Sequence, residues 1–183
     1  MTRLPILLAC LLLALLAGAC GDDDEQQAGG AEPEATATAT ETAAPEAPGK
    51  VETASIGKDL SAKPKIAKPE GTPPLELQKT DIVKGKGKAA KVGDTVAVQY
   101  VGNSWSTGKQ FDASWDRGGQ PFEFPLGAGQ VIAGWDQGVA GMRQGGRRLL
   151  VIPPDLAYGE QSPSPDIAPN ETLIFVVDLK KVR

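Results

Sequence analysis

The chain has 183 residues, with 19 Lys and Arg against 23 Asp and Glu and a net charge of -4, so it lacks the cationic balance of a nucleic-acid binder. It contains no histidine, which excludes histidine triads and histidine-bearing metal sites and leaves acid–base work to carboxylates, lysine and tyrosine. Its two cysteines, Cys10 and Cys20, both lie near the N-terminus, so the body of the chain holds neither a zinc cluster nor a thiol nucleophile.

Residues 1–19 begin with Arg3, continue through the apolar stretch Leu4–Leu16 and end in Ala17-Gly18-Ala19, the pattern of a secretory signal. An uncleaved membrane anchor is the competing reading, because the uncharged run Leu4–Gly21 approaches the minimum of about 18 residues for a span. Leu16-Ala17-Gly18-Ala19-Cys20 resembles a bacterial lipobox, with the leucine one place further from the cysteine than in the commonest pattern. That resemblance implies lipidation of Cys20, an extracytoplasmic location and membrane attachment through the lipid. Plain secretion remains the alternative. Residues 20–64 start with Asp22-Asp23-Asp24-Glu25 and then mix Ala, Glu, Thr and Pro without apolar periodicity. Such a composition is expected to form a disordered tether, with a reach on the order of 40 Å.

The remaining residues, 65–183, read as one folded domain. All nine aromatic residues lie between Tyr100 and Phe175, and large rings dominate the burial of a small core. After an irregular strap, Lys65–Pro74, alternating strands are expected over Leu75–Val83 and Thr95–Val101, separated by the lysine turn Lys84-Gly85-Lys86-Gly87-Lys88. A polar loop with Trp105, the pair Phe111-Asp112 and the short strand Phe122–Phe124 follow. Val131, Trp135, Val139 and Met142 recur at steps of four, four and three, which places them on one stripe of a short helix. Gly134 and Gly138 interrupt that helix at about 1 kcal/mol each, a cost that permits close approach to whatever the stripe covers. The stripe, with Ile132 beside it, reads as the floor of an apolar pocket. Arg147–Ile152 forms another strand, Pro153–Asn170 a long loop, and Thr172–Val182 a last strand with Leu173, Phe175, Val177 and Leu179 on one face. The expected fold class is α+β, an antiparallel five-stranded sheet wrapped around one short α-helix.

An ordered set of motifs then identifies a resemblance. Gln99-Tyr100-Val101-Gly102, Gly108–Ser114, Pro121–Phe124, Val131-Ile132-Ala133-Gly134-Trp135, Gly141-Met142, Ile152-Pro153-Pro154, Tyr158-Gly159 and Thr172–Val177 resemble the FKBP-type peptidyl-prolyl cis-trans isomerases over roughly Leu75–Arg183. The resemblance implies a substrate pocket made of Tyr100, Phe111, Asp112, Phe122, Val131, Ile132, Trp135, Tyr158, Ile167 and Phe175. In it Trp135 lies beneath the prolyl ring, while Asp112, Tyr158 and Phe111 act on the amide. Arg117 matches an arginine that pairs near Asp112, and Ile167 completes the rim. Glu160–Asp166 replaces the family's usual glycine-rich stretch. Taken singly, Trp135 reads as plain core and Asp112 as a loop cap or a partner of Arg117, and Trp105 and Trp115 read as loop packing. The rival function is a catalytically weak proline-binding or chaperone module on the same fold.

The chemistry agrees with the composition. Peptide rotation meets a barrier of about 18–20 kcal/mol because of C–N double-bond character, yet it breaks no bond. It requires no nucleophile, metal or cofactor, and a chain without histidine can perform it. The expected partners are proline-containing, unfolded or partly folded exported polypeptides, macrolide inhibitors, and the membrane through the N-terminal lipid. No nucleic acid is expected, and the chain is expected to be a monomer.

Overall fold

Two uninterrupted apolar runs, Leu149–Ile152 and Leu173–Val177, set the architecture. Side chains alternate across a strand, so a run without polar breaks is apolar on both faces and needs cover on both. In the computed structural model, which describes residues 49–183, these runs are the centres of β5 (Gly146–Ile152) and β6 (Leu173–Val182). The expected signal segment, Cys20 and the tether as far as residue 48 lie outside the described residues.

The other strands are β1 (Gln78–Val83), β2 (Thr95–Ser104), β3 (Gln110–Ala113) and β4 (Phe122–Pro125). The sheet is antiparallel in the order β1-β5-β6-β2-β3, and β4 pairs with β2. It has six strands instead of the expected five, because the Phe111-Asp112 region forms the four-residue β3. The fold class is the expected one, an antiparallel sheet on a single α-helix, α1 (Ala133–Val139).

The inner face of the sheet, formed by Leu150, Ile152, Leu173, Phe175, Val177 and Leu179, packs with Trp135 and Val139 of α1. The alternation expected along β6 is therefore present. A Cβ on Gly134 would come within 2.3 Å of Ile152 Cγ2, and one on Gly138 within 2.7 Å of Leu150 Cδ1. The helix glycines let α1 sit directly on β5.

The outer face carries Leu149, Val151, Ile174 and Val176, and their cover corrects one expectation. Residues 49–64 were expected to end the tether, but they pack on this face. Val51 and Ile56 join its four apolar residues and Trp105 in a second core cluster, with Ile66 and Ile82 at its edge. Arg147 and Asp178 stand opposite each other on β5 and β6, both 1% exposed, joined by Nε to Oδ1 at 2.6 Å and Nη2 to Oδ2 at 2.7 Å. Arg147 also donates to the carbonyl oxygens of Gly57 and Ala62, and Lys180 Nζ donates to Leu60 O at 2.9 Å. Residues 49–64, which with 65–72 form one strap over the outer face, are thus fixed through backbone carbonyls, a feature to which amino-acid composition is blind. Trp105 belongs to this outer layer, and its indole N–H donates to Gly71 O at 3.4 Å.

Candidate active site

Between α1, the 153–170 loop and the inner face of the sheet lies a cavity of about 220 Å³. Trp135, 4% exposed, is its centre. Its ring meets Tyr100 edge-on at 5.0 Å and Phe175 at 5.2 Å, with Phe122 at 6.2 Å and Phe124 at 5.6 Å. The Tyr100, Phe175 and Phe122 rings stand near-perpendicular to Trp135, which pairs the positive edge of one with the negative face of the next and holds each in place, while Phe124 is tilted.

The wall residues on β2, β3 and β6 are delivered by strand register. Tyr100 on β2 lies opposite Val177, and Phe175 on β6 lies opposite Gly102. Phe111 comes from β3, next to Asp112, which itself pairs with Gly102. Gly102 makes room for two of these rings: a Cβ there would sit 2.7 Å from both Phe111 Cζ and Phe175 Cε1. Gly102→Ala is therefore expected to push the two rings apart, at about 1–3 kcal/mol of stability, and to raise KM for a prolyl peptide. Urea denaturation and steady-state kinetics measure the two effects.

Nine of the ten pocket residues expected from sequence line this cavity: Tyr100, Phe111, Asp112, Phe122, Val131, Ile132, Trp135, Tyr158 and Phe175. Ile167, expected at the rim, is 4% exposed within the inner core and does not line it. Gln130 lines the cavity and was not foreseen. Nor was Asp136, whose carboxylate accepts from Gly127 N at 2.7 Å and Gly129 N at 3.0 Å and so braces the loop leading to Gln130–Ile132. An acid in the first helical turn, just after a Gly-x-Gly loop, was the available signal.

The polar side of the cavity is a three-membered network. The Tyr100 hydroxyl donates to Asp112 and accepts from Arg117 Nη2 at 2.6 Å, and Arg117 Nη1 also donates to Asp112. The Arg117 guanidinium lies 5.6 Å over the Tyr100 ring, a cation–π arrangement. Burial, and then the bond to Asp112, push the Tyr100 hydroxyl up to about 12. Burial and the nearby Asp112 charge likewise raise Tyr158. For Tyr100 the neutral form is favoured, so its contribution, on the order of 2 kcal/mol, is complete below pH 10 and is lost as pH rises through 12. Stability is expected to show no tyrosine step between pH 6 and 9, and to fall between about pH 10 and 12 by less in Tyr100→Phe than in wild type, as urea denaturation across pH would record.

A wider cleft of about 890 Å³ lies between residues 68–73 and 168–172. Its buried carboxylate, Glu171, is taken up by Ser106 N and Oγ at 2.9 and 2.7 Å, and no ring cluster converges on it. The smaller aromatic cavity is the better candidate.

Residues 86–180 match the family model described as FKBP-type peptidyl-prolyl cis-trans isomerase. A relative from Streptomyces anulatus named FK506-binding protein is 57% identical over 121 residues, covering 66% of this chain and 97% of its own. The chain belongs to the FKBP-type peptidyl-prolyl cis-trans isomerase family. A probable FK506-binding protein of Corynebacterium glutamicum is 46% identical over 117 residues, 64% of this chain and 96% of its own. Among solved structures, AtFKBP13 matches with a TM-score of 0.53 and 38% identity over 58% of this chain and 93% of that one. FkpA from Escherichia coli matches with a TM-score of 0.52 and 45% identity over 58% and 48%. The FKBP match starts at residue 86, so the strap at 49–72 that seals the outer face lies outside it.

Proposed function

We propose that this FKBP domain accelerates X-Pro rotation in exported polypeptides by holding the prolyl ring against Trp135 while the amide twists. The cluster of aromatic rings around the cavity of about 220 Å³ is the observation that carries this reading. X-Pro bonds interconvert over tens of seconds unaided, which is slow enough to limit folding. Transfer of the carbonyl from water to the apolar wall of Phe111 and Phe175 disfavours the charge-separated planar amide. Asp112 and the Tyr158 hydroxyl, which line the same cavity, are the polar groups proposed to favour the twisted one. The step needs no proton transfer, and Tyr100 and Tyr158, both raised, remain protonated donors at neutral pH. The pocket is also proposed to admit macrolides of the FK506 type, after which several relatives are named.

The enzyme is proposed to act as a monomer outside the cytoplasm, held to the membrane by a lipid on Cys20. Membrane fractionation tests the anchor: Cys20→Ala is expected to move most of the protein into the soluble fraction, whereas unchanged retention would favour an uncleaved N-terminal helix. Refolding of an exported protein limited by a prolyl step tests the substrate class. Catalytic amounts of the full chain are expected to speed that slow phase, and an unaltered phase would count against it.

A further inference from the structure

Arg117 follows Asp116 directly in the chain, yet it bonds Asp112 and the Tyr100 hydroxyl at the pocket wall. Among the described residues no ion pair joins it to Asp116. Asp116 is occupied from another direction. Its Oδ1 accepts from Lys63 Nζ at 2.6 Å, and its Oδ2 accepts from Lys63 Nζ at 2.8 Å and from Gln110 Nε2 at 2.8 Å. The bonds from Lys63 and then Gln110 lead the causes that hold the Asp116 carboxyl below the usual carboxylate range, and the Arg117 charge acts in the same direction. The guanidinium is therefore within electrostatic reach of both acids and is bonded to one.

Lys63 belongs to the strap. Composition places it in the expected tether, and the family match begins at residue 86, so neither points to it. The strap is held on both sides of this lysine. Leu60 O accepts from Lys180 Nζ at 2.9 Å, and Ile66 packs at the edge of the outer cluster. The groups that Lys63 meets flank the pocket wall. Gln110 opens β3, which carries Phe111 and Asp112, and the single turn Ser114–Asp116 follows at once. Ser114, 1% exposed, ties that turn to β2 by accepting from Tyr100 N at 2.9 Å. Residues 110–117 thus carry two pocket residues and the arginine that bonds one of them, and Lys63 reaches this stretch from the strap.

With the aromatic cavity taken as the isomerase site, we propose that Lys63 is a positioning residue for it: by holding Asp116, it leaves Arg117 to Asp112 and Tyr100. Two cations are matched to two carboxylates, one each. Removal of the ammonium leaves the Asp116 charge unbalanced beside Arg117. The planar guanidinium fork favours one carboxylate in good geometry, so it is then divided between Asp116 and Asp112. Asp112 and the Tyr100 hydroxyl lose their common partner for part of the time. The carboxylate proposed to act on the twisting amide is then less well fixed, and slight misplacement of such a group slows a reaction.

The test uses variants of the full chain and a Leu-Pro peptide. Lys63 is 37% and Asp116 52% exposed, and ion pairs so open to solvent add little to stability. Lys63→Met is therefore expected to melt within about 4 °C of wild type. Its kcat/KM should nevertheless fall about threefold to tenfold. Lys63→Arg keeps the charge and should stay within about twofold of wild type. Lys63→Met/Asp116→Asn also removes the competing carboxylate, and its activity should return to within about twofold of wild type. A strap that merely buttressed β3 would give the opposite result, because the double variant has lost both halves of the pair. Full activity in Lys63→Met, or a loss that the double variant does not recover, would overturn the proposal. Absence of turnover by wild type would sink the isomerase reading instead. The nitrogen–proton signals of the Arg117 guanidinium in NMR spectra would then still decide. They should shift in Lys63→Met and return in the double variant, and unmoved signals would count against the proposal.

Discussion

Alanine in place of Asp112 is expected to lower kcat/KM for a prolyl peptide by about tenfold to a hundredfold, a loss of roughly 1.4–2.7 kcal/mol in the transition state. The carboxylate is the shared acceptor of Tyr100 and Arg117, so its removal leaves two donors without that partner at the pocket wall and takes away a polar group proposed to act on the twisting amide. The cost to folding should be small. The Asp112 side chain is 38% exposed and that of Arg117 53%, and ion pairs so open to solvent contribute about 0–1 kcal/mol. Activity and stability therefore separate at this residue. Asp112→Asn keeps the shape and one acceptor oxygen, and its activity should fall between the two. A second signature is spectroscopic. The bond to Asp112 and its charge both raise the Tyr100 hydroxyl, so ultraviolet titration of Asp112→Ala should find Tyr100 ionising below its wild-type value of about 12, yet still above 10 because burial persists. An unmoved Tyr100 titration with full activity would remove Asp112 from the mechanism.

The largest expected effect on stability lies on the opposite face. Arg147→Met should lower stability by about 3–5 kcal/mol, because it strands the Asp178 charge at 1% exposure and frees the carbonyls of Gly57 and Ala62. For a folded part of this size that corresponds to a drop in Tm of about 10–20 °C. Arg147→Met/Asp178→Leu should recover most of the loss, since a well-packed apolar pair can replace a buried ion pair at little cost. Because Arg147 faces away from the cavity, kcat/KM at a temperature where the variant is folded should match wild type. Circular dichroism melts decide the matter. A single variant melting within about 2 °C of wild type would mean that the strap is held by something other than this pair.

The two faces of the sheet differed in how readable they were. The inner face was legible in part because Trp135 and Val139 stand at helical spacing, although Val131 and Met142, expected on the same stripe, lie outside α1, and because two glycines in so short a helix make sense only with β5 pressed against it. Most pocket residues followed from ordered motifs carried by strands, where register delivers side chains predictably. The outer face has its own trace in the sequence: Leu149-Leu150-Val151-Ile152 has no polar break, as a strand covered on both sides should not. Its cover was hidden in a Pro- and Ala-rich stretch where two apolar residues, Val51 and Ile56, are swamped by their neighbours. Its attachment runs through backbone carbonyls, which every residue possesses. β3 escaped as a four-residue strand flanked by polar loops. Gln130 reaches the cavity because Asp136 grips the loop amides before it, a tertiary arrangement without periodicity. The family resemblance implies Ile167 at the rim, whereas its side chain packs into the inner core.

Everything proposed for the site depends on the cavity around Trp135 speeding rotation of the bond beside a bound proline. The most direct test is the cis-to-trans rate of a Leu-Pro peptide with catalytic amounts of the full chain and of Trp135→Leu, each shown to be folded by circular dichroism. The wild-type chain should accelerate the reaction in proportion to its concentration, and Trp135→Leu should lose about tenfold in kcat/KM. A folded Trp135→Leu chain as active as wild type would contradict it.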